Sequence, residues 1–165
     1  AAAFHPGQRV CLTTHVNPDG DGLGSEAGLA HLLQARGVDV VVETCIQTRA
    51  MRERGTPAQR VSRARFADMY WTSAQMVAHH ASNGCNLRPG DLLASGTISG
   101  PMRDSLGCLL ELTRRGAEPL EIGGERRGFL EDGDEVVLRA SCERDGHVRI
   151  GFGECRGRIE PAAKS

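Results

Sequence analysis

From residue 88 onward the chain is cut into short lengths by glycine-bearing turns. They are Pro-Gly-Asp at 89–91, Asp-Gly-Asp at 132–134 and Asp-Gly at 145–146. Glycine supplies backbone angles that other residues resist, and aspartate bonds to its own turn, so these triplets stop whatever element precedes them. The runs between them are β-rich and short. The clearest case is "EVVLRAS", then "ERDG", then "HVRIGFG", spanning residues 135–153, which predicts a hairpin with a glycine in its turn. A second half of this kind folds as mostly antiparallel β.

The opening has a different texture. "RVCLTTHV" predicts a strand, Ser25 caps a helix through "EAGLAHLLQAR" with Leu29, Leu32 and Leu33 on one face, and Gly37 ends it. "VDVVV" (38–42) then predicts a buried strand, giving a β-α-β unit and the start of a parallel sheet. Residues 45–65 show no clean helical or strand period and are rich in Arg, Gln and Thr. A helix follows over "SAQMVAHHAS" (73–82), with Thr72 and Gln75 spaced as a capping box and Asn83-Gly84 as the stop. The expected fold class is therefore α+β, a mostly antiparallel β body (43–165) after a short β-α-β segment (1–42). No internal repeat or low-complexity linker separates the two.

Composition narrows the function classes. Hydrophobic residues make up 39% and charged residues 25% of the 165, which fits a globular rather than a disordered chain. No apolar run reaches membrane-spanning length, and "AAAFHPGQ" lacks the charged start and apolar stretch of a signal peptide. A net charge of -1 gives no overall attraction to nucleic acid. Arg49, Arg52, Arg54, Arg60, Arg63 and Arg65 form a local exception, read as a solvated surface segment because no aromatic residues interleave them for base stacking. The six cysteines show no C-x-x-C spacing, which argues against a zinc ribbon and for reduced thiols in a cytoplasmic protein.

The densest chemistry lies in "THVNPDGDGLGSE" (14–26). His15, Asp19 and Asp21 follow a predicted strand and precede a helix, where ligands bind in parallel sheets. Imidazole with carboxylates suits an ion such as Mn²⁺, and Gly20, Gly22 and Gly24 allow close approach of the backbone. Asn17, Asp19, Asp21 and Gly22 also mimic a calcium-hand loop, but its twelfth position is Gly28 rather than Glu. Over residues 8–42 the stretch resembles motif I of the DHH phosphoesterase superfamily. That resemblance implies His15, Asp19 and Asp21 as ligands of paired Mn²⁺ ions that hydrolyse a phosphodiester. The Asp-His-His motif of that superfamily has no counterpart here: the single His-His pair, His79-His80, follows Ala78.

Residues 43–163 carry a longer resemblance. "IQTRAMRERG", "VSRARFADMYWT", "HHASNGCNLRPGDLLASGTISGP", "LLELTRRG", "FLEDGDEVVLRASC" and "RIGFGECRG" resemble, in order, the C-terminal part of the fumarylacetoacetase family. The resemblance implies hydrolysis of a carbon–carbon bond in a small diketo acid, giving fumarate and acetoacetate in tyrosine and phenylalanine breakdown. It implies a Ca²⁺ or Mg²⁺ ion, a histidine base assisted by a glutamate, and a homodimer built on a mixed β-roll. Thr97, in "SGTISG", matches a substrate-contacting threonine, and Glu111, in "LLELTRRG", matches the glutamate paired with the base. Glu111 is read as a strand residue that faces one cavity with Thr97. The family's base and metal ligands lie upstream of the matched text, so this chain alone is expected to lack turnover.

Overall fold

Val40, Val41, Cys45 and Ile46 are each at most 2% exposed, and they make the first described strand the centre of the fold. A computed structural model describes residues 39–162, apart from 89–90 and 92–93. Strand β1 (Asp39–Gln47) pairs with β2 (Gln59–Arg65) on one side and β5 (Glu135–Glu143) on the other. Strand β6 (Ile150–Arg158) completes a sheet of order β2-β1-β5-β6, and every pairing is antiparallel. A small hairpin of β3 (Leu120–Ile122) and β4 (Glu125–Arg127) forms a separate two-stranded sheet. Helices α1 (Arg49–Glu53), α2 (Ser73–Ala81) and α3 (Leu109–Leu112) are all short. The α+β class with an antiparallel β body is thus as expected.

One expectation is corrected. The strand begun by "VDVVV" does not enter a parallel sheet. It runs on to Gln47, through the point between residues 42 and 43 where the two textures meet, and both its neighbours are antiparallel. Residues 45–65, which show no clean period in the sequence, finish β1, form α1 and make β2. The five residues of α1 are too few to display a period, and its start is set by Thr48, whose Oγ accepts from Met51 N at 3.2 Å. Strand β2 was hidden by arginine, for a reason visible in the sheet.

The sheet has one ionic and one apolar face. Asp39, Glu43, Arg63, Arg65 and Arg139 share a face by register. Arg65 pairs with Asp39 at 2.7 Å, Arg60 with Glu43 at 2.9 Å, Arg63 with Glu143 at 2.7 Å and Arg139 with Glu154 at 2.6 Å. Exposed pairs of this kind contribute at most about 1 kcal/mol each, but their arginine stems cover apolar surface. Arg139 Nη1 lies 4.0 Å from the sulfur of buried Cys45. The other arginines of the cluster are also engaged: Arg49 with Glu53, Arg52 with the Gly133 carbonyl and Arg54 with the Gly123 carbonyl. The arginine-rich segment is a structural belt.

The opposite face carries the core. Val40, Phe66, Cys142 and Phe152 form one cluster, joined by Met69, Ile98 and Ile150. Ile46, Met51 and Ile122 form a second, joined by Val61, Leu109, Leu120 and Leu130. Burying each large aliphatic side chain contributes about 1.5–3 kcal/mol, more than any of the ion pairs opposite. The turns at 132–134 and 145–146 behave as the sequence predicts, and Pro-Gly at 89–90 lies outside the described residues. Gly133 (φ 91°) and Gly146 (φ 73°) occupy conformations that glycine adopts at least cost. Asp134 N bonds Glu131 O at 2.9 Å, and His147 N bonds Arg144 O at 3.0 Å. Helix α2 has the expected capping box between Thr72 and Gln75, and Gly84 (φ 82°) follows its end.

Candidate functional site

Glu111 stands in α3, not in a strand as expected. The helix is a single turn fixed at both ends. Leu109 packs on the Ile46–Met51–Ile122 cluster, and Leu112 is 4% exposed, so this i, i+3 pair anchors one face to the core. Thr113, fully buried, donates its hydroxyl to Leu109 O at 2.6 Å and accepts from Gly116 N at 2.9 Å. Arg114 (φ 48°) and Arg115 (φ 61°) then take left-handed conformations ahead of Gly116, which stops the helix after four residues. The side opposite the leucines is exposed, and Glu111 projects from it.

The chain before α3 comes back onto Glu111. Ile98 enters the first core cluster, which ties down the loop that carries Thr97 and Ser99. Ser99 Oγ donates to Glu111 Oε2 at 2.6 Å and accepts from Gly107 N at 3.0 Å. Cys108 Sγ donates to the same Oε2 at 3.3 Å. Gly107 permits the close approach: a Cβ there would collide with the Ile98 carbonyl oxygen and lie 2.7 Å from Thr97 Cγ2. The Ser99 hydroxyl, with help from the Cys108 thiol and the nearby backbone N–H groups, holds the Glu111 carboxyl below the usual glutamate range against a smaller opposing effect of desolvation. The result is an exposed carboxylate kept ionised and oriented.

Thr97 is exposed on the same loop, its methyl against Gly107, so Thr97 and Glu111 flank one backbone position. They do not share the wall of a cavity of about 500 Å³ on the apolar side of the sheet, which Thr44, Cys108, Leu112, Phe129 and Leu138 help to line. Neither Ser99 nor Cys108 was singled out from the sequence. The available signals were the Ser-Gly alternation of "SGTISG" and a polar side chain three residues before Glu111.

Among the described residues the remaining pieces of a hydrolytic site are not assembled around Glu111. His79 and His80 lie in the last turn of α2, and His147 Nδ1 sits 3.0 Å from Asp145 O in the β5–β6 turn. Among the described residues no group of three or more His, Cys, Asp or Glu side chains could hold a metal ion, so these residues do not fit a Ca²⁺ or Mg²⁺ site. His15, Asp19 and Asp21, the expected Mn²⁺ ligands, lie outside the described residues. No helix among the described residues is long and apolar enough to cross a membrane. Cys45, Cys85, Cys108, Cys142 and Cys155 are free thiols.

Comparison with known proteins gives a consistent result. The model of a family described as fumarylacetoacetate (FAA) hydrolase C-terminal matches residues 30–160. The fumarylacetoacetase of Oryza sativa subsp. japonica is 48% identical over 124 residues, covering 75% of this chain and 28% of that protein. The fumarylacetoacetase of Caenorhabditis elegans is 57% identical over 102 residues, 62% of this chain and 24% of its own length. That of Homo sapiens is 53% identical over 106 residues, 64% of this chain and 25% of its own length. The chain thus spans about a quarter of the length of these relatives.

Proposed function

The chain belongs to the fumarylacetoacetate hydrolase C-terminal family, and from that membership we propose that it supplies part of the site of a hydrolase cleaving a carbon–carbon bond in a small β-diketo acid. The observation that carries this is the clamped, ionised Glu111 beside Thr97, on a loop and helix turn that the core holds in place. A carboxylate so fixed suits orienting a histidine: it accepts the proton-bearing ring nitrogen and stabilises the imidazolium formed when the base takes a proton from water. The Thr97 hydroxyl, unencumbered by its glycine neighbour, donates to a substrate oxygen.

The histidine and the divalent ion have to come from outside residues 39–162. Calcium or magnesium, when bound, polarises the diketone oxygens. By itself the 165-residue chain has no turnover in this proposal. It pairs as a homodimer, which the exposed Leu110, Phe129 and Leu138 support; a single monomeric species in sedimentation would count against pairing.

Segment exchange tests the role of the site. Residues of this chain replace the matched 106 residues of the Homo sapiens relative. The hybrid is expected to hydrolyse fumarylacetoacetate, and Glu111→Gln in it to lower kcat by about 10²–10⁴-fold, the usual worth of general acid–base assistance. A fully active Glu111→Gln hybrid refutes the assignment of Glu111, and turnover by the isolated 165-residue chain refutes the incompleteness of its site.

A further inference from the structure

Both side chains that hold Glu111 end on the same oxygen. Ser99 Oγ reaches Oε2 at 2.6 Å and Cys108 Sγ reaches Oε2 at 3.3 Å. A serine hydroxyl has one proton and two lone pairs. Because Gly107 N already donates to Ser99 Oγ at 3.0 Å, the hydroxyl is directed to give its proton to Glu111. The loop cannot easily slide away from this arrangement. Ile98, one residue before Ser99, packs into the core, and Gly100 N bonds Ser105 O at 2.9 Å, one residue after it. Ser105 is itself 8% exposed. The loop backbone therefore fixes the hydroxyl on both sides.

We propose that Ser99 is the positioning residue of this site: it binds Glu111 through Oε2 and leaves Oε1 as the acceptor presented to the proton-carrying group that Glu111 serves. Cys108 is a second, weaker clamp on Oε2, because a thiol is a poorer donor than a hydroxyl. An exposed glutamate has several rotamers of similar energy, and one anchored oxygen selects among them before any partner arrives. The lowered pKa of Glu111, caused first by Ser99, agrees with such a bond in the ionised state. The inference rests on the role proposed above for Glu111.

The test is a carbon-detected carboxyl titration of Glu111 by NMR in the full 165-residue chain, with Cys108 as the titratable group in contact with it. The unsubstituted chain is expected to titrate Glu111 below the ordinary glutamate range. Ser99→Ala moves the midpoint up, Ser99→Thr restores it, and Cys108→Ala moves it up by less than Ser99→Ala. In the hybrid enzyme Ser99→Ala lowers kcat more than it changes KM, and Ser99→Thr recovers kcat. An ordinary midpoint in the unsubstituted chain overturns the proposal without any variant having to fold. So does a folded Ser99→Ala chain with an unmoved midpoint. If the midpoint behaves as expected while the Glu111→Gln hybrid stays fully active, the clamp stands and the functional role of Glu111 falls.

Discussion

Asp134, with no exposed surface, takes two donors from Arg127, Nε at 2.9 Å and Nη2 at 3.3 Å. The pair joins the β3–β4 hairpin to the turn that opens β5. Asp134 also accepts from Glu131 N at 3.0 Å, and Arg127 reaches Glu125, which accepts from Thr48 at the start of α1. Removing one partner strands a buried charge. Arg127→Ala or Asp134→Ala is expected to destabilise by about 3–5 kcal/mol, and an apolar replacement of both by much less. Urea unfolding of the two single variants and the double variant measures this, and additive losses would count against a coupled pair.

Acid is expected to weaken the fold through its anchored carboxylates. The Thr48 hydroxyl lowers the Glu125 carboxyl below the ordinary range, and bonds from Arg156 and then Arg139 do the same for Glu154. Groups with folded values below their unfolded ones bind fewer protons when native. Their contribution is complete above the unfolded glutamate value of about 4.3 and is lost as pH falls through the lowered values. The urea midpoint should therefore hold constant from neutrality to about pH 5 and fall below it. A midpoint that rises on acidification would contradict the direction.

Thiol reactivity should follow burial. Desolvation pushes the Cys45 and Cys142 thiols up, and they are 1% and 5% exposed, whereas Cys85 is exposed. Among the cysteines of the described residues, iodoacetamide at mildly alkaline pH is expected to label Cys85 first and to reach Cys45 and Cys142 only as the chain opens. Mass spectrometry of timed digests reads the order. Early labelling of Cys45 would mean that the β1–β5 pairing opens easily.

Gly107→Ala should unsettle the site more than its size suggests. The added methyl would meet the Ile98 carbonyl and Thr97 Cγ2, backbone and a fixed loop, with little freedom to yield. Overpacking of this kind costs about 1–3 kcal/mol. Thermal unfolding gives the stability loss. The Glu111 titration gives a second readout, since moving Ile98 also moves Ser99 away from Gly107 N.

The β body was legible because its signals are local. Gly133 and Gly146 mark turns that only a few residues build, and the Thr72–Gln75 box announces α2 within four positions. Strand β2 was not legible, since the arginines that obscure its period are matched by Asp39, Glu43 and Glu143 on strands far away in sequence. The residue pair Thr97 and Glu111 could be named from sequence resemblance. Ser99 and Cys108 could not, because their importance lies in which oxygen they touch.

By itself the sequence determined the turns, the hairpin, helix α2 and the family to which the chain belongs, since each is written in short stretches of residues. Tertiary structure decided that β1 runs antiparallel on both sides, that one sheet face is ionic, and that Glu111 is held by a serine twelve residues earlier. The physical reason is separation along the chain. A turn is satisfied by its own backbone, whereas an ion-pair ladder and a clamped carboxylate exist only after distant segments have paid the entropy of meeting.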